Sequence, residues 1–279
     1  MLVSVTSLSS YLYCKRKLFL QEVLGLKEPP KESLVLGLLR HNVFDSLNKS
    51  EQGVVLSIER PLSFDEVVSA YKERAQVREI VFSQKSRLEM FNIEPELVLS
   101  SLWSEVLDEI SLRASNVFDF MLRTGLVGAE LWMALSPKYF SEFRLESKKY
   151  SLKGVVDKVE LHSDFCVAHE LKSGSAARDG AWPNHRIQLA SYMMMLEESL
   201  NVPASKGFIE YKASRQKVEV RLNPFMRDDV AALTKDVISL LSLRQIPERC
   251  TSSKKCDLCG IRDSCFDERK LRALVNTAG

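Results

Sequence analysis

No apolar run in this 279-residue chain comes near the roughly 20 residues that a membrane span needs. The first ten residues lack the basic, apolar, small-residue order of a secretory leader, so the sequence reads as a cytosolic protein with no membrane partner. No charge of one sign prevails. The 39 Lys and Arg face 37 Asp and Glu, a formal net of +2. That balance excludes a histone-like polycation and confines any nucleic-acid contact to local patches. The pattern Gly-x-x-x-x-Gly-Lys-Ser/Thr is missing, so an ATP-driven motor is not encoded. Internal repeats and low-complexity tracts are missing too. What remains is ordinary globular composition, 45% hydrophobic and 27% charged, long enough for one large or two modest domains.

The spacing of apolar residues predicts a short helix capped by Ser7, a break at Pro29–Pro30, and a second helix carrying Leu34, Leu38, His41, Phe44 and Leu47 on one stripe. Residues 64–124 follow the helical period throughout, with Pro95 between two long helices. Segments 141–152, 154–161 and 165–172 are short, β-branched and apolar, and read as adjacent antiparallel strands. A helix over 183–200, a strand pair at 207–211 and 217–222, and a helix over 224–243 follow. The order is that of an α/β chain, a sheet with helices packed against it. The expected divisions are an N-terminal helical segment (1–45), a helical insertion (46–140), a catalytic core (141–245) and a cysteine-rich tail (246–279).

Asp157 stands in the apolar strand GVVD, and Glu170 and Lys172 stand two apart in FCVAHELKSG. Side chains at i and i+2 of a strand share a face, so pairing of the two strands brings Asp157, Glu170 and Lys172 to one spot. Leu171 then points into the core while its carbonyl faces the site. Convergent carboxylates make a hard oxygen pocket suited to Mg²⁺ or Mn²⁺, and an adjacent ammonium orients water or offsets charge on a phosphorane-like transition state. Glu-x-Lys alone is common on solvated strands. It is the apolar surroundings of Asp157 and Glu170 that call for a partner or a metal. Gln188 and Tyr192, four apart, lie on one face of the following helix and can bond a phosphate or a metal-bound water, although a half-buried helix face would look the same. His41, on an apolar helical stripe, is a packed core histidine or a metal ligand.

Six cysteines in a reducing compartment point away from disulfides. Four of them, Cys250, Cys256, Cys259 and Cys265, fall within sixteen residues among Lys, Asp and Arg, which signals thiolate ligation. Two sets of four are open. One is local and holds Zn²⁺. The other replaces Cys250 by Cys14 of YLYCKRKLFL and clamps the chain ends around an iron–sulfur cluster. Cys166, between Phe165 and Val167, reads as core. Lys15, Arg16 and Lys17 beside Cys14, with Lys254, Lys255 and Arg262, form a basic patch for DNA if the ends meet.

In the order YLYCKRKLFL, LLRH, GVVDKVEL, HELKSG, QLASYMMML, GFIEY and CDLCGIRDSC, the chain resembles the CRISPR-associated RecB-like nucleases with four cysteines, within the PD-(D/E)XK superfamily. The resemblance covers about residues 1–45 and 141–266. It implies a restriction-endonuclease-like core and a 4Fe–4S cluster on Cys14, Cys256, Cys259 and Cys265, with Cys250 spare. It also implies metal carboxylates at Asp157 and Glu170, a motif histidine at His41, the catalytic lysine at Lys172, and a Gln-x-x-x-Tyr element at Gln188 and Tyr192. The implied activity is cleavage of single-stranded DNA, often exonucleolytic, with Mn²⁺ or Mg²⁺, preparing spacers for the CRISPR adaptation integrase; self-association into a homo-oligomer is left open. Lys15 stands where a proline is usual, and the long 46–140 insertion marks a longer branch. A RecB-like repair nuclease, a low-activity DNA-binding scaffold and a zinc-ribbon protein are the competing readings.

Overall fold

The computed structural model describes residues 1–243 and 245–277. In chain order, β1 (Val3–Ser4), α1 (Val5–Tyr13), α2 (Lys15–Glu22) and α3 (Glu32–Leu56) lead into α4 (Phe64–Arg74), α5 (Val77–Ser83), α6 (Lys85–Glu89), α7 (Pro95–Thr124) and α8 (Gly128–Ala134). Three strands follow, β2 (Lys138–Ser147), β3 (Leu152–Leu161) and β4 (Cys166–Lys172). Then come α9 (Pro183–Leu200), β5 (Lys206–Tyr211), β6 (Gln216–Arg221), α10 (Pro224–Leu241), α11 (Ser253–Asp257), α12 (Arg262–Phe266) and α13 (Glu268–Thr277). The sheet runs β1-β3-β4-β5-β6, with β2 beside β3. It is mixed and flanked by helices, the α/β class expected from the element order.

The chain forms two compact units. The first comprises residues 1–30, 144–156 and 167–279. In it β4 pairs β5 in parallel, Ala168 opposite Gly207 and Lys172 opposite Tyr211, and β5 turns back antiparallel onto β6. Parallel neighbours need a crossover, and α9 supplies it. A central parallel strand is covered on both faces, which accounts for the unbroken buried run Cys166–Glu170. Gly207 is a close-approach glycine: an added Cβ would sit 2.8 Å from the Ala168 carbonyl and 3.2 Å from Leu189, so α9 can lie tight on the sheet. Helices α1 and α10 pack on α9. The chain ends meet in a small core of Phe19, Leu20, Ile261 and Leu271, with Cys259 and Cys265 at its margin.

The second unit comprises residues 31–143 and 157–166. Its axis is α7, started by Pro95 at the first turn and stopped by Gly125 at φ +69°. Val98, Leu102, Val106, Ile110, Ala114, Val117 and Met121 form its buried stripe. A capping box between Ser63 and Glu66 opens α4. Inside the unit Arg113 is fully buried. Its guanidinium pairs with Glu51 at 2.8 Å and Glu109 at 2.9 Å, Tyr71 donates to Glu51 at 3.1 Å, and Lys158 of β3 reaches Glu109 at 2.8 Å. Every member is paired, as burial of charge requires.

Three expectations are corrected. Ser7 does not cap the first helix; Ser4 precedes it, and Ser7 lies inside and buried, because Val5 and Leu8 seat the helix a turn earlier. Residues 64–94 are not one long helix but α4, α5 and α6, with breaks at Ala75–Gln76, at Gln84 and before Pro95, where Asn92 has φ +55°. The 141–152 strand begins earlier, at Lys138, and ends at Ser147. Ser147 Oγ accepts from the Tyr150 amide at 3.0 Å and Ser151 has φ +56°, so Lys148–Ser151 is a turn without the glycine or proline that would mark it.

Candidate functional site

The first unit gathers four of the side chains singled out from the sequence. Glu170 and Lys172 project from alternate positions of β4, and Lys172 Nζ donates to Glu170 Oε1 at 2.7 Å. Gln188, on the second turn of α9, bridges the pair. Its Oε1 accepts from Lys172 at 2.8 Å and its Nε2 donates to Glu170 Oε1 at 2.7 Å. One turn on, the Tyr192 hydroxyl lies 3.5 Å from Gln188 Nε2. Glu170, Gln188 and Tyr192 are 3%, 4% and 2% exposed, so an acid, an amide and a phenol sit in a desolvated pocket while the lysine faces partly outward. Beside them His185 shares a 2.9 Å hydrogen bond with the Tyr211 hydroxyl. Burial, and then the nearby Lys172 charge, push the His185 pKa down to about 4, so it is neutral at ordinary pH.

Asp157 belongs to the second unit, where it meets His41 and a residue the sequence reading did not single out, Glu142. One donor atom from each lies within 4.8 Å of the others. His41 Nδ1 hydrogen-bonds Glu142 and lies 3.6 Å from Asp157 Oδ1. The hydrogen bond from Glu142 raises the His41 pKa; burial opposes this, and the Asp157 charge adds to the rise. An imidazole and two carboxylates in reach of one another form a donor set suited to Mn²⁺ or Mg²⁺. Glu142 has φ +47° in the middle of β2, a left-handed conformation that costs a side-chain-bearing residue about 1–3 kcal/mol. Nothing in Phe140–Ser141–Glu142–Phe143 announces that backbone, so pattern reading had no signal to find it.

A third cluster lies in the first unit. Cys14, Cys250, Cys256, Cys259 and Cys265 all line one cavity, together with Arg16 and Lys17. Cys14 caps α2, its sulfur accepting from the Lys17 amide at 3.4 Å. Arg16 Nε lies 3.3 Å from Cys265 Sγ, and its other nitrogens bond the Pro247 and Cys265 carbonyls at 2.8 and 3.2 Å. Burial, together with the neighbouring Cys250 and Cys259, raises the Cys14 pKa. Several thiols drawn to one spot and ringed by N–H donors match what a metal–thiolate group requires. Of the cations beside Cys14 expected to contact DNA, Lys15 is exposed and lies over the Tyr11 ring, Lys17 pairs with Glu28, and Arg16 is buried against Cys265.

A strand-borne Glu-x-Lys with a helix-borne Gln-x-x-x-Tyr beside it defines a class. The model of the PD-(D/E)XK nuclease superfamily matches residues 2–266, and the chain belongs to that superfamily. It is similar to two curated proteins, each described as a CRISPR-associated exonuclease Cas4/endonuclease Cas1 fusion. The one from Myxococcus xanthus is 27% identical over 133 residues, 46% of this chain and 23% of the relative. The one from Leptospira interrogans is 25% identical over 150 residues, 50% of this chain and 28% of the relative. The matched part thus spans about a quarter of the length of those relatives. A solved structure, that of SSO0001, aligns over 82% of this chain and 97% of its own at 17% identity, with a TM-score of 0.32 that carries no argument.

Proposed function

We propose that the protein is a metal-dependent DNA nuclease, acting as an exonuclease on single-stranded DNA in the adaptation stage of CRISPR immunity. The observation that carries the reading is the Lys172 ammonium, held at 2.7 Å by Glu170 and 2.8 Å by Gln188, in a chain of the PD-(D/E)XK superfamily. His41, Glu142 and Asp157 of the second unit are suited to hold Mn²⁺ or Mg²⁺. Such an ion supplies Lewis acidity at a phosphoryl oxygen and makes bound water more acidic. Lys172 orients the attacking water and offsets the charge gathering on the phosphate oxygens. Glu170 and Gln188 fix the ammonium so that no reorganisation accompanies the reaction. Tyr192 keeps the Gln188 amide aligned.

The thiol pocket fits a 4Fe–4S cluster on Cys14, Cys256, Cys259 and Cys265, fastening the chain ends, with Cys250 as spare or alternative ligand. The Cas1 portion of the two fusion relatives supports the adaptation integrase as a partner. The test is an anaerobic preparation given labelled single strands with Mn²⁺ or Mg²⁺. Wild type is expected to shorten them from an end, whereas Glu170→Ala and Lys172→Ala leave them intact. Metal-dependent cutting that survives both substitutions defeats the reading.

A further inference from the structure

The first unit carries a second cleft that the chemistry above does not use. In the β1–β3 pairing Val3 stands opposite Leu152 and Ser4 opposite Lys153. Alternation sends Val3 and Leu152 into the core and leaves Ser4 and Lys153 on the outer face. The same alternation along β2 buries Leu145 and Ser147 and exposes Arg144 and Glu146. Arg144, Lys153, Ser4 and Thr6 thus line an open cleft of about 460 Å³. Among the described residues neither Arg144 nor Lys153 is in an ion pair. Tyr192 also lines the cleft. Its ring reaches there because position 154 is glycine: a Cβ at Gly154 would lie 2.7 Å from the ring. At its other end the same Tyr192 touches Gln188, which holds Lys172.

Building on the nuclease reading, we propose that this cleft is a backbone-phosphate subsite, in which Arg144, Lys153 and the Ser4 and Thr6 hydroxyls grip the sugar–phosphate chain of a single strand next to the bond to be cut. Two cations outside any ion pair and two hydroxyls lining one cleft are the chemistry that holds a strand by its phosphates without reading its bases. The Glu146 carboxylate on the rim keeps the grip weak enough for the strand to advance.

The experiment is a salt titration of oligothymidylate and oligodeoxyadenylate binding, with chelator present so that no strand is cut. Each phosphate neutralised on a single strand contributes about 0.7 to the slope of log affinity against log salt, so Arg144→Ala/Lys153→Ala is expected to lower that slope by about 1.4, equally for both oligomers. The charge-preserving Arg144→Lys/Lys153→Arg keeps the slope, which separates lost charge from lost fold. Glu146→Gln tightens binding. A slope unchanged in the double alanine variant, or a loss confined to one base sequence, overturns the subsite. A wild type that binds single strands but cuts none with Mn²⁺ overturns the nuclease reading instead, and leaves the subsite to be judged on its slope.

Discussion

Lys172 Nζ and Gln188 Oε1 lie 2.8 Å apart, sixteen positions distant in the chain, and the same Gln188 amide donates to Glu170. The glutamine is therefore a clip that sets the lysine and the carboxylate in one geometry. Lys172→Met removes the charge and is expected to cut the rate by about 10²–10⁴-fold. Gln188→Leu keeps the charge, loses the clip, and is expected to cost about ten- to a hundredfold in kcat with little change in strand affinity. Single-turnover cleavage beside equilibrium binding checks both. Equal effects of Gln188→Leu on binding and cleavage would place the glutamine on the substrate instead.

Glu142 combines φ +47° with a hydrogen bond to His41. Glycine relieves the backbone strain but removes the carboxylate. Glu142→Gly is expected to leave unfolding free energy within about 1 kcal/mol of wild type, the relief offsetting the chain entropy. Mn²⁺ affinity falls tenfold or more in the same variant. Urea unfolding and calorimetric Mn²⁺ titration give the two readouts.

How far the sequence carried differs by residue, for physical reasons. Glu170, Lys172, Gln188 and Tyr192 were legible because strand and helix periods place them on shared faces, and the structure joins them. Cys14 and Cys250 both stood open as the fourth thiol ligand, and only the resemblance favoured Cys14, since no local period links it to residues some 240 positions away; the Phe19–Ile261 core brings the two segments together. Arg16 read as a surface cation because its sequence neighbours are lysines. Its burial against Cys265 is tertiary. Glu142 depends on a rare backbone conformation, and Arg113 on three helices meeting, and neither leaves a mark in the local pattern.

His185 gives a pH test. Its pKa is pushed down to about 4 by burial first and by Lys172 second, against about 6.5 in the unfolded chain. Between those values the unfolded chain takes up a proton that the folded one refuses. Stability from this source is complete above about pH 6.5 and drains away as pH falls toward 4. The imidazole is only half-buried, so solvent screening reduces the loss to about 1–2 kcal/mol. His185→Gln should flatten that part of the urea stability profile. Lys172→Met should move the His185 pKa upward in an NMR titration, and a pKa that stays put would mean that burial alone sets it.

Arg113 is a stability test of the second unit. Its guanidinium is buried between Glu51 and Glu109. Arg113→Met leaves the Glu51 carboxylate uncompensated and is expected to destabilise by about 3–5 kcal/mol. Arg113→Met/Glu51→Leu removes both charges and should recover a large part of that. A double-mutant cycle by urea unfolding reads the coupling. Simple additivity would show that the pair does not act as one.

The cysteines make a prediction with a spectroscopic answer. Iron and acid-labile sulfide, with the visible absorption of an iron–sulfur centre, are expected in the wild type and lost in Cys14→Ser, Cys256→Ser, Cys259→Ser and Cys265→Ser. Cys250→Ser is the discriminating variant, because Cys250 lines the same cavity and completes the purely local set. Retention of iron there assigns the fourth position to Cys14. Loss of metal in Cys250→Ser with retention in Cys14→Ser, and zinc in place of iron and sulfide, would assign the local set. Since Cys14 and Cys265 lie at opposite ends of the chain, the first outcome carries a mechanical consequence. Stripping the group should lower Tm and loosen the α2 segment to proteolysis, whereas stripping a local zinc site would leave the contacts of α2 through Phe19, Leu20 and Arg16 in place.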